Sequence, residues 1–133
     1  MPNNHNNSQL NEVVMSWEQY LNRSVPFMKE LADRFYRSIE QQPWGELPQL
    51  TEAILWIFQV YETLAQAGAS SYAVWKDVEQ VMSGISRELQ ALNDALSDKD
   101  PVAVGDIMNY EVLPKLEELH NLVSTIIKHE VVQ

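Results

Sequence analysis

The sequence predicts an all-α fold, an antiparallel up-down-up-down four-helix bundle with proline kinks in its first and fourth helices. Three observations point there. Apolar residues recur at steps of three and four along four long segments, which places them on one face of a helix in each. The links between these segments are short and carry proline, glycine or polar turn residues, and short links favour antiparallel neighbours. Four glycines and six prolines in 133 residues are too few for a hairpin-rich sheet protein. A chain of this length is expected to form one domain, over residues 9–130, burying roughly two thirds of its unfolded surface.

Residues 1–8 are polar and Asn-rich, with no apolar period to offset the entropy of ordering, and read as a flexible tail. The first helix is expected from about Ser8 to Gln42. Its stripe is Leu10, Val14, Trp17, Leu21, Val25, Met28, Leu31, Phe35 and Ile39, in register on both sides of Pro26. Pro26 removes one backbone hydrogen bond, so the helix kinks there or splits into two coaxial pieces with Ser24 as a cap. The segment 41–50, QQPWGELPQL, is the first turn, where Trp44 plugs the end of the bundle or binds a ligand.

The second helix starts between Pro48 and Glu52 and ends near Ala67, with Gly68 stopping it in a left-handed conformation. Its main row is Leu50, Ile54, Ile57 or Phe58, Tyr61 and Leu64, and a second row is Ala53, Trp56, Val60 and Ala67. A helix apolar over more than one face lies at the centre of a core or against a second chain. No basic residue occurs between Arg37 and Lys76, so this helix is the strongest interface candidate. The third helix, about Ser71 to Ser97, has a core stripe running from Val74 and Trp75 to Leu96 and a polar opposite face. Gly84 inside it marks a close approach by a neighbour.

The fourth helix opens at Asp100, which can cap the free N–H groups of the first turn, with Pro101 at the first helical position. Val104, Met108, Val112, Leu116, Leu119, Val123 and Ile126 form its apolar face. Counted from the shared end of the bundle, Pro26 and Pro114 differ in level by only about 3 Å at 1.5 Å per residue. Both helices should therefore bend at nearly one height, leaving a shallow opening there. Tyr110 and Pro114 form either a docking spot, an aromatic anchor beside a free carbonyl, or a water-solvated kink.

Composition narrows function by exclusion. A formal net charge of −10, with nine basic residues against nineteen acidic, makes nucleic acid and anionic membranes poor partners and favours a basic protein surface. The absence of cysteine removes thiol nucleophiles, thiolate metal sites and disulfides. With no run of about 18 apolar residues and no signal-like N-terminus, a cytoplasmic location is expected. The glycines, isolated at 45, 68, 84 and 105, form no phosphate loop, and no serine sits in a nucleophile elbow.

Glu117 and His120 give one Glu-x-x-His spacing, of the kind that recurs on two helices in carboxylate di-metal bundles. The second copy is missing, and a surface Glu and His pair is the expected reading. A tripod of His5, His120 and His129 is excluded within one straight helix, because His120 and His129 lie about 13 Å apart along the axis. No metal and no cofactor is expected.

The run DIMNYEVLPKLEEL, Asp106 to Leu119, resembles a phrase near the C-terminus of small, uncharacterised helical proteins from Gram-positive bacteria. No activity or site residue follows from that resemblance. Size, acidity and helical pattern also resemble flagellar export chaperones, which hold a helical segment of a client, although none of their sequence motifs is present. The expected function is a non-enzymatic interaction or adaptor protein that self-associates, as a homodimer, or grips a partner helix. The interface is expected at Ala53, Trp56 and Val60, with Tyr110 and Pro114 as the second spot. The alternatives are an export-chaperone-like bundle and a metal- or ligand-dependent bundle enzyme near Glu117, His120 and the proline level.

Overall fold

The computed structural model describes residues 4–37 and 42–131, which are helical apart from short turns, with no strand among them. Helix α1 spans Asn4–Arg37, one-turn α2 spans Gln42–Gly45, α3 spans Leu47–Gln66 and α4 spans Trp75–Ser97. The C-terminal segment comprises α5 (Pro101–Ile107), a π turn (Met108–Val112), α6 (Leu113–Ile126) and a second π turn (Ile127–Val131). Helical segments thus outnumber the four expected. The first turn holds a short helix of its own, and the last helix is interrupted.

α1 begins four residues before the expected Ser8, so the tail expected over 1–8 is helical from Asn4, and residues 1–3 lie outside the described part. Its expected end near Gln42 and the stripe residue Ile39 fall at or beside residues 38–41, also outside it. α1 runs unbroken through Pro26, which removes the split-helix alternative. Among the described residues the irregularity near a helix-interior proline falls on the C-terminal helix, where the π turn ends two residues before Pro114.

The sequence explains the π turn. Val104, Met108, Val112 and Leu116 are separated by three successive steps of four, twelve residues where three ideal turns take about 10.8. The row would drift by about 120° and leave the core. One widened turn, in which the Leu113 N–H donates to the Met108 carbonyl, absorbs one extra residue and keeps all four side chains buried.

Residue pairs fix the directions of packing. Tyr36 Oη donates to Asp106 Oδ1 at 2.6 Å, and His120 Nε2 lies 3.2 Å from Glu18 Oε2, so α1 and the C-terminal segment run antiparallel. Arg34 pairs with Glu46 while Tyr20 stacks on Trp56, so α1 and α3 are antiparallel as well. α4 packs on α5 and α6, and the stem of Lys115 crosses Gly84, where an added Cβ would lie 3.1 Å from Lys115 Cε. The close approach expected at Gly84 is thus made by a side chain. A closer one occurs at Gly105, whose Cβ would fall 2.8 Å from the Tyr36 ring.

α1 buries Leu10, Val14, Trp17, Leu21, Met28, Leu31, Ala32 and Phe35. Trp44 packs edge-on against Phe35 at 4.9 Å, closing that end of the core as expected. At the other end Gly68 takes φ +102°, the left-handed conformation that ends α3. There Tyr61 stacks on Trp75 at 5.4 Å, and the buried Tyr72 donates from Oη to Asn11 Oδ1 at 2.8 Å. Burial, and secondarily the charge of Glu130, pushes the Tyr72 phenol up to about 12. A raised folded-state pKa favours the neutral phenol. The stability it contributes is complete below pH 10 and is lost as pH rises through about 12. Spectrophotometric titration should show one tyrosine ionising two pH units late, coincident with unfolding, and Tyr72→Phe should remove that step.

Asp100 caps α5 as the sequence predicts, its Oδ1 accepting from the Ala103 N–H at 3.1 Å with Pro101 next in the chain. Asp100→Ala should cost about 1 kcal/mol by chemical denaturation, and Asp100→Asn much less.

Candidate partner-binding face

α3 is the least covered of the long helices, and its sequence positions the candidate site. The row it buries is Leu50, Ala53, Ile57, Val60 and Leu64, drawn from both apolar rows seen in the sequence. Of the expected interface residues, Ala53 (6% exposed) and Val60 (4%) are therefore enclosed by their own chain, so their side chains belong to the core. Trp56 remains 41% exposed. Beside it Leu55, which fits neither row and was missed for that reason, is 56% exposed. The two form an apolar ridge across α3, Leu55 on its α4 side and Trp56 on its α1 side.

A depression lies on each side of the ridge. On the α4 side, an apolar groove of about 490 Å³ is lined chiefly by Leu50, Ile54, Leu55, Phe58, Leu89 and Leu96. It exists because α3 and α4 are tied at the Gly68 turn but make few close backbone contacts with each other, whereas α1 packs closely on α3 and both α1 and α4 pack closely on the C-terminal segment. Leu89 and Leu96, expected in the core stripe, are half-buried walls of that opening.

On the α1 side, a cleft of about 470 Å³ runs past Tyr20, Arg23, Phe27, Glu52 and Trp56. Tyr20 and Trp56 stack there at 5.3 Å, and the Arg23 guanidinium sits 5.9 Å over the Tyr20 ring, within cation–π range. Burial raises the Tyr20 pKa, Glu52 raises it further, and Arg23 opposes them.

The shallow opening expected at the proline level is present. It is lined by Leu21, Asn22, Val25, Pro26, Glu117, His120 and Asn121. His120 turns to Glu18, on which Asn22 Nδ2 also donates at 2.8 Å, while Glu117 is exposed. Among the described residues no group of three His, Asp or Glu side chains is placed to hold a metal ion. The His5 side chain lies outside the described part. Tyr110 is 71% exposed on the π turn and Pro114 is exposed just after it, with Lys115 Nζ donating to the Glu111 carbonyl oxygen at 3.2 Å. This spot belongs to the C-terminal segment, with which α3 makes no extensive contact, so the structure does not join it to Trp56.

A family described as a domain of unknown function (DUF8042) matches residues 12–122. The chain belongs to that family. The matched stretch covers the ridge, both depressions and the π turn, and so contains the whole candidate face. No curated protein and no solved structure matches the chain. No helix among the described residues is long and apolar enough to cross a membrane.

Proposed function

We propose that this chain is a non-enzymatic protein–protein interaction module, an up-down-up-down four-helix bundle that receives a partner along α3. The observation that carries the reading is the groove between α3 and α4, whose aliphatic and aromatic side chains, interspersed with Thr51, Ser86, Gln90 and Asn93, lie open to solvent beside the Leu55 and Trp56 ridge. Exposed apolar surface rimmed by polar residues is one mark of an interaction site. A catalytic reading has less to draw on. Among the described residues the buried hydroxyl-bearing side chains are Ser24 and Tyr72, Tyr72 is bonded to Asn11, and His120 is engaged by Glu18.

The test is a double variant, Leu55→Glu with Trp56→Glu. Both residues are exposed, so stability should change by no more than about 1 kcal/mol and the helical circular dichroism spectrum should be unchanged. Capture from the native host with the wild-type chain as bait should recover a protein that the double variant does not. Equal recovery, or loss of helicity, would sink the reading.

A further inference from the structure

We infer that the groove between α3 and α4 seats one amphipathic helix of a partner protein, about two turns long at the contact, with lysine or arginine flanking its apolar stripe. This rests on the interaction reading above and specifies its partner.

The length follows from the walls. Leu50 to Phe58 on α3 spans about 12 Å of helix axis, and Leu89 to Leu96 on α4 about 10.5 Å. An apolar trough between two helices is the surface into which a third helix lays anchors at i, i+3 or i+4, and i+7. Those anchors take up about two turns.

The charge follows from what surrounds the trough. α3 carries Glu52 and Glu62 and no basic residue. α4 carries Asp77, Glu79, Glu88 and Asp94 against Lys76 and Arg87. Neither of these α4 cations serves the groove, and Lys99, in the turn beyond Leu96, stands between Asp98 and Asp100 in the sequence. Arg87 Nη2 lies on the Gly84 side, where the Lys115 stem also crosses, and Lys76 sits at the turn end of α4, remote from Leu89 and Leu96, as do Asp77 and Glu79, while Glu52 lines the opposite cleft. Asp94, by contrast, stands at the rim, accepting at Oδ1 from the groove residue Gln90 at 3.4 Å.

The same distribution argues against a second copy as occupant. Docking α3 on α3 would set glutamates against glutamates, with Arg23 of α1 beside Glu52 offsetting only part of that charge, in a chain already carrying a net charge of −10.

The experiment uses the full chain and three synthetic helical peptides of about 18 residues, long enough to hold helix. Two have an identical leucine stripe at i, i+4 and i+7, one flanked by lysine and the other by glutamate. The third keeps the lysines and scrambles the stripe. Fluorescence anisotropy should show the lysine-flanked peptide binding at least tenfold tighter than either of the others, and weakening as salt is raised. Leu55→Glu should weaken it at least tenfold with helicity retained. Asp94→Lys should narrow the preference for lysine over glutamate flanks by at least threefold.

Equal binding of the first two peptides, binding indifferent to Leu55→Glu, or a dimer by sedimentation that Leu55→Glu dissociates would overturn this assignment. If host capture still depends on Leu55 and Trp56, only the partner's chemistry is wrong. If it does not, the interaction reading falls with it.

Discussion

Deleting Glu118 should abolish the fold, whereas deleting Tyr110 in a Pro114→Ala background should preserve it. Both deletions remove one exposed residue from the C-terminal helix, and a propensity argument would treat them alike. Register separates them. Removing Glu118 rotates everything beyond it by about 100°, turning Leu119, Val123 and Ile126 out of the core. At about 1.5–3 kcal/mol for each buried aliphatic side chain, the loss is roughly 5–9 kcal/mol, comparable with the whole stability of a domain this size.

Removing Tyr110 instead removes the surplus residue of the π turn. The steps four, four, four, three, four, three along the Val104 to Ile126 row become four, three, four, three, four, three, the spacing of a regular helix face. Pro114→Ala is needed with it because a proline inside the regularised helix would cost about 3 kcal/mol. Thermal melts followed by circular dichroism decide the matter. The first deletion should show no cooperative transition and the second a cooperative one. Similar behaviour of the two would mean that the π turn does not set the register.

Trp17→Ala is the most damaging point substitution expected. Trp17 is fully enclosed in the face of α1 that packs within the core. Truncation removes the largest apolar side chain of the core and leaves a void that rigid neighbours fill only in part, at about 3–5 kcal/mol. With an m-value near 2 kcal/mol per molar, the urea midpoint should fall by roughly 2 M. The conservative partner sharpens the test. Trp17 Nε1 is buried without a hydrogen-bond partner. Trp17→Phe therefore gives up some packing but also removes a desolvated donor, and should stay within about 1 kcal/mol of wild type. A Phe variant as unstable as the Ala variant would show that the indole ring edge, not bulk alone, holds the core together.

Much of the fold was legible because local chemistry states it. The three-and-four spacing gives the helices, Gly68 their break and Asp100 their restart, and each signal involves only neighbours in sequence. The candidate face was harder to read. Periodicity fixes which α3 residues share a row but not which neighbour covers that row. With two apolar rows available, the core took Leu50, Ala53, Ile57, Val60 and Leu64 from between them. Ala53 and Val60 went inward, Trp56 stayed out, and Leu55 was overlooked because it belonged to neither row.

The π turn had a signal, three successive steps of four, but steps of three and four look alike unless their drift is summed. The approach of His120 to Glu18, 102 residues apart, and of Tyr36 to Gly105 had none, since nothing local distinguishes those side chains from other surface residues.

The long N-terminal helix meets the C-terminal segment through contacts such as Tyr36 with Asp106, 70 residues on, and Glu18 with His120. Until the last quarter of the polypeptide has left the ribosome, the oily face of α1 has nothing to lie against on that side. The molecule therefore cannot complete itself piecemeal during synthesis. Its first helix must wait, in an open and chaperone-accessible state, for the last one to be made.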